Sequence, residues 1–236
     1  MTTDSILGYL NRDSKRQQLP EEVAAYVREQ IMSGAVREGD FLRMERIAEA
    51  MGVSNTPVRE GLLTLSNQGF VRQIPRRGFV VAPLTRQDIR DLFWVQATLA
   101  GELAGRAAKN ISAESLDRLD LIMKAHDIAR ARDDKRALDD LGHAFHREIN
   151  LAADSRRLAM VLGSVVRLLP LDFYAKISGW VDAAGDQHSE IVQALRKGNA
   201  TKARKLMEHH LSTGADQIIE TLEARGFWSE SPKVAS

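Results

Sequence analysis

The sequence predicts a mainly α-helical chain in two parts, a small unit of short helices closed by a β-hairpin and a larger unit built of helices alone. Three observations carry that prediction. Turn residues and β-branched runs cluster before residue 84, apolar residues recur at helical spacing from Thr85 to about Trp228, and no strand-like alternation survives in that second stretch. At 236 residues the chain has room for one large domain or two small ones, and 44% hydrophobic with 28% charged residues is globular composition. Lysine and arginine total 33 against 32 acids, a net charge of +1. A local basic patch can still hide in so neutral a total.

Several classes are excluded at once. The absence of cysteine rules out a disulfide scaffold, thiolate zinc ligation and a cysteine nucleophile. Met1–Lys15 has no apolar stretch long enough for a signal peptide. Leu158–Leu171 is interrupted by Arg167 and Pro170 and is too short to span a bilayer. A soluble, cytoplasmic chain with no membrane partner is expected.

In order, residues 1–16 are mostly polar and read as a flexible arm. Residues 17–84 open at Pro20, suited to a first helical turn, with Glu21 and Glu22 where the helix dipole favours anions. Val23, Val27 and Ile31 follow at helical spacing until Gly34. A short helix over Met44–Met51 ends at Gly52, and a third begins at Ser54 or Thr56, carries Pro57 in its first turn and stops at Gly69. Phe70–Ile74 and Gly78–Ala82 read as strands joined by the turn Pro75-Arg76-Arg77-Gly78. This is the plan of a winged helix-turn-helix.

Pro83 and a capping box at Thr85–Asp88 mark the boundary. The all-α unit, residues 85–228, divides into helical segments over 86–109, 113–132, 135–153, 156–177, 182–197 and 200–224, with Gly185 as one candidate helix start. Residues 229–236 read as a tail.

A recognition helix needs polar and basic side chains at its N-terminal end to meet base edges and phosphates. Ser54, Asn55, Thr56 and Arg59 occupy those positions, and Val58, Leu62 and Leu65 supply a buried face. Arg76, Arg77 and Gly78 form the wing tip. From Ser54 to Arg86 there are five arginines against one acid, Glu60, a local net +4 suited to phosphate contacts. Each of these residues taken alone also fits a solvated surface; the joint placement favours DNA.

Val53-Ser54-Asn55-Thr56-Pro57-Val58-Arg59-Glu60, with Gly69-Phe70-Val71 and Arg77-Gly78-Phe79-Val80-Val81, resembles the DNA-binding domain of GntR-type bacterial transcription regulators. The helical half, with Phe145-His146, His188 and His210-Leu211, is similar to the FCD effector-binding domain of their FadR-like branch. The resemblance implies a homodimer that binds a palindromic operator and responds to a small metabolite, often a carboxylate. The family usually has a basic residue where this chain has Asn55, which can read adenine instead. A family arginine at the start of the preceding helix falls near Glu45, and Arg43 or Arg46 can take its place. Gln96 and Ala100 stand where the family often carries arginine and glutamate, and Glu102 with Arg106 forms an i,i+4 pair nearby.

Helical phase sorts the histidines independently of that resemblance. His188 is central on the stripe Ala184, Ile191, Val192, Leu195. His210 lies within the stripe of Leu206, Met207, Leu211 and Ile218, and His146 on the flank of Leu138, Leu141, Phe145 and Ile149. His209 and His143 turn outward. Imidazoles converging from three helices make a site for a divalent metal, zinc or nickel; the alternative is three separate core histidines. The family usually adds an aspartate one turn before Phe-His, but here that position is Gly142, and Asp139 is two turns from His146, roughly 10 Å along the axis.

The leading expectation is a ligand-responsive transcription regulator, not an enzyme. A constitutive architectural DNA binder is the main competitor. An enzyme ranks last: a three-histidine metal hydrolase lacks a His-Glu-x-x-His element, and a nucleotide-binding enzyme lacks Gly-x-Gly-x-x-Gly or a phosphate-binding loop.

Overall fold

The computed structural model describes the backbone of residues 3–169, 180–224 and 226–228, and side chains over 18–169, 187–224 and 226–228. It divides into two units, residues 1–84 with 222–236, and residues 85–221.

In the first unit, α1 (Thr3–Met32) runs through the segment read as an arm and holds Pro20 inside it, not at its first turn. Both expectations are corrected by one cause. Val23, Ala24, Val27, Ile31 and Met32 are buried, and once a packed stretch fixes a helix, extending it needs no new nucleus. Helices α2 (Met44–Met51) and α3 (Asn55–Asn67) follow, with Gly52 in the left-handed conformation at φ 65° closing α2. Ser54 is the N-cap of α3, although its side chain makes no capping bond.

Gly61 explains how α3 lies so near α1. A Cβ there would stand 2.8 Å from both the Pro20 carbonyl oxygen and Val23 Cγ1, so only glycine permits the contact. Val58, Leu62 and Leu65 form the buried side of α3 as expected. The hairpin is β2 (Val71–Ile74) and β3 (Gly78–Val81), each one residue shorter than expected. A short strand β1 (Phe41–Leu42), not anticipated, pairs antiparallel with β3, Phe41 opposite Val80, giving the order β1-β3-β2.

The second unit comprises α4 (Arg86–Asn110), α5 (Ala113–Ala131), α6 (Lys135–Ala152), α7 (Arg156–Val166), α8 (Trp180–Arg196) and most of α9 (Ala200–Ala224). The capping box is present: Asp88 N donates to Thr85 Oγ1 at 3.1 Å and Thr85 N to Asp88 Oδ2 at 2.7 Å. Ser112 and Asp134 cap α5 and α6. The core joins the small residues Ala100, Ala104 and Ala107 of α4 to Phe145, Ile149, Ile191, Leu195 and Met207. Alanines on the inner face let neighbouring helices approach closely enough to exclude water.

Three expectations change here. Helix α7 ends at Val166 instead of 177, with residues 170–179 outside the described residues. Gly185 lies within α8 and starts nothing. The end of α9 from Leu222 groups with the first unit, where Trp228 Nε1 donates to the Leu84 carbonyl at 2.7 Å; the boundary at 228 moves accordingly. The tail 229–236 lies outside the described residues. No described helix is long and apolar enough to cross a membrane.

Candidate nucleic-acid interface and metal centre

Ser54, Asn55, Thr56 and Arg59 are all exposed at the N-terminal end of α3, whose backbone N–H groups add positive potential. Arg59 lies one turn beyond Asn55 on the same face. That face continues to Leu63, 38% exposed, a residue the sequence reading passed over. An apolar side chain there can meet a thymine methyl. Arg43, the N-cap of α2, and Arg46 are both exposed, so each remains available for phosphate.

At the wing, Arg76 holds φ 62° and Gly78 φ 103°, which turns the chain sharply between β2 and β3. The Arg77 guanidinium lies 5.0 Å from the centroid of the Phe41 ring. Phe41 is 45% exposed on β1, and its face restrains a side chain that otherwise samples many rotamers. Strand β1 therefore matters to the wing because it carries that ring.

In the bundle, the three histidines singled out by helical phase meet. Nε2 of His210 lies 3.2 Å from Nε2 of His188 and 3.3 Å from Nε2 of His146, and the ligand atoms of all three fall within 4.8 Å of one another. Ligands at the vertices of a tetrahedron of metal–nitrogen bonds of about 2.0–2.1 Å stand about 3.3 Å apart, which the two separations from His210 match.

Gln187 Oε1 lies 2.8 Å from His210 Nδ1. Accepting the Nδ1 proton, it leaves the Nε2 lone pair facing the cluster, the tautomer a ligand needs. Phe145 stacks on His188 at 4.0 Å between ring centroids and holds its orientation. Neither helper was legible beforehand: Gln187 acts across to another helix, and Phe145 counted only as core.

Burial holds these rings neutral. It is the main cause that pushes His146 and His188 well below the ordinary imidazole range, with the neighbouring histidines adding to it, and lowers His210 to about 4. Neutral imidazole is the metal-binding form. His209 is exposed, as its phase requires. His143 is half-buried, its Nε2 3.7 Å from Asp139 Oδ1, beyond hydrogen-bond distance, so Asp139 lies beside His143. A Cβ at Gly142 would meet nothing within 4 Å, so space for the absent carboxylate exists. Glu102 bonds Arg106 at 2.8 Å and also pairs with Arg204 of α9, which makes it a tie between helices.

A winged helix with an exposed arginine-bearing helix, joined to a helical bundle, defines a two-domain DNA-binding regulator. Residues 19–81 match the model of "Bacterial regulatory proteins, gntR family", and residues 91–213 that of the FCD domain. The chain belongs to the gntR family of bacterial regulatory proteins and carries its FCD domain.

Over 198 residues it is 25% identical to the "Probable D-xylose utilization operon transcriptional repressor" of Paenarthrobacter nicotinovorans, covering 84% of this chain and 87% of that one. Over 218 residues it is 23% identical to the HTH-type transcriptional repressor RspR of Escherichia coli (strain K12), covering 90% and 94%. Among solved structures, E. coli McbR/YncC shares the fold at TM-score 0.65 and 19% identity, over 86% of this chain and 98% of that one. A GntR family member from Pseudomonas syringae pv. tomato str. DC3000 shares it at TM-score 0.53 and 21% identity, over 91% and 90%. The chain is a transcriptional regulator and not an enzyme, which retires the hydrolase reading.

Proposed function

We propose that this regulator binds a palindromic operator as a homodimer and that a small carboxylate, anchored in the helical unit on a divalent metal held by His146, His188 and His210, alters that binding. The observation that carries the reading is the convergence of three Nε2 atoms at 3.2 and 3.3 Å with Gln187 fixing one tautomer. Zinc or nickel there supplies a Lewis acid with positions left open for a carboxylate oxygen, because Gly142 contributes no ligand. The protein supplies Ser54, Asn55, Thr56 and Arg59 for base edges and phosphates, with Arg43, Arg46, Arg76, Arg77 and the Gly78 backbone for the flanking strands.

Dimerisation is supported by α4, which buries Phe93 and Leu103 yet exposes Trp94 at 68%. A large exposed aromatic on an otherwise packed helix is what a self-association surface provides. A thermal-shift panel of small carboxylates, with and without EDTA, tests the reading. Stabilisation by an acid that EDTA abolishes supports it. No shift with any acid or with added zinc or nickel overturns the metal-anchored site and leaves the architectural alternative.

A further inference from the structure

We propose that His126 is the fourth imidazole of this buried site, hydrogen-bonding through Nδ1 to a second polar group of the acid held at the three-histidine centre. The inference rests on the metal-anchored reading above and goes beyond it by naming what else the ligand must carry.

His126 lies on α5, 4% exposed, with its ring 6.0 Å from that of His188 and at 71° to it. The rings of the three-histidine cluster stand 4.7, 5.2 and 5.5 Å apart. His126 therefore sits edge-on against a ring of the group whose ligand nitrogens converge, one step outside it. Its Nδ1 is buried and has no hydrogen-bond partner among the described residues. Leaving such an atom unpaired is costly, and buried polar atoms in folded proteins nearly always have a partner, water or ligand.

The chemistry of the ring narrows the partner. The ring is buried, and burial disfavours the charged imidazolium. A neutral imidazole nitrogen is a donor or an acceptor according to tautomer. A hydroxyl serves either case because it both donates and accepts. A methyl in the same place leaves Nδ1 unpaired. The site is thus matched to a small hydroxy acid over the corresponding aliphatic acid, and sites built around one hydrogen bond reject the analogue that lacks it.

Lactate and propionate differ by that hydroxyl and serve as probes. The full chain, with metal content measured, is titrated with each acid as wild type and as His126→Leu, His126→Asn and His126→Gln. The expected result is wild type that binds lactate on the order of tenfold tighter than propionate, the worth of one such bond. His126→Leu keeps its metal and its propionate binding and loses the preference. His126→Asn, whose amide falls near the Nδ1 position, retains part of it, while His126→Gln, which reaches toward Nε2, does not. If His126→Leu fails to fold, the Asn and Gln pair decides.

Equal binding of the two acids by wild type, or a preference that survives in His126→Leu, overturns the inference and leaves the metal centre standing. Metal loss in a folded His126→Leu also overturns it, by making the ring a ligand. Metal-free wild type that binds neither acid removes both readings together.

Discussion

The two units keep their functional groups in opposite environments. In the first unit, Ser54, Asn55, Thr56, Arg59, Arg76 and Arg77 are exposed, and only Arg77 stacks on a neighbour, Phe41. In the second, His188 and His210 are 3% and 1% exposed and held by stacking and by Gln187. Charged groups on a surface keep their hydration and cost little until DNA arrives, so their number and placement can be adjusted cheaply. Buried imidazoles are paid for at folding through lost hydration, and they survive only where packing holds them neutral. On the proposed reading, one unit would meet a polyanion with mobile charge and the other a small ligand with fixed lone pairs.

Removing a buried ligand tests the comparison hardest. His188→Ala is expected to abolish metal content and with it the stabilisation that a tightly bound ion gives, about 4 kcal/mol when the metal is at a thousandfold its Kd. His209→Ala, one position from an inward ring but exposed, leaves both unchanged. Elemental analysis beside thermal melts checks the pair. Equal effects would erase the distinction between inward and outward histidines.

Acid bears on the buried cluster of the second unit. In metal-free protein the folded-state pKa of His210 is lowered to about 4 from an unfolded value of 6.5. The unfolded chain therefore takes up a proton that the fold refuses. Stability is complete above pH 6.5 and is lost as pH falls from 6.5 toward 4, by about 3 kcal/mol for a group shifted this far. Urea melts across that window measure it, and His210→Phe should flatten the slope. An unchanged slope would show that other groups carry the acid sensitivity.

On the exposed unit, Arg59→Ala should cost about 1–3 kcal/mol of operator affinity if the arginine reads a base, or weaken all sequences alike if it meets phosphate. A gel-shift titration against operator and scrambled duplex distinguishes the two, and unchanged affinity removes Arg59 from the interface. The smallest effect belongs to Phe41→Ala. Losing an exposed cation–π contact forfeits about 0.5–1 kcal/mol. The salt slope of binding should stay the same, because Arg77 keeps its charge. A slope reduced by a full phosphate contact would mean that the ring does more than steady the arginine.

Much of this arrangement was legible because it obeys a period or a fixed turn chemistry. The phase of three helices placed His146, His188 and His210 inward, and Thr85 to Asp88 announced the capping box that forms. What escaped lacks any local signal. Strand β1 is two residues long, too short to alternate, and exists because β3 offers it an edge. Gln187 and Phe41 act on side chains remote in sequence, and Gln187 sits beside His188 while serving His210. Pro20 misled because proline favours a first turn, yet packing downstream decides where α1 runs. His126 carried no clear signal in the sequence, because it lies buried on α5 between exposed Lys124 and Asp127.

The hard contact at Gly61 has a consequence for the helix it seats. Any side chain at this position would run into the Pro20 carbonyl oxygen and Val23, so the close seat of α3 on α1 depends on a glycine there. A larger residue at Gly61 would push the two helices apart and shift the exposed end of α3 that carries Asn55 and Arg59. One small residue, remote from the exposed arginines, thus sets where the helix that carries them sits in its own unit.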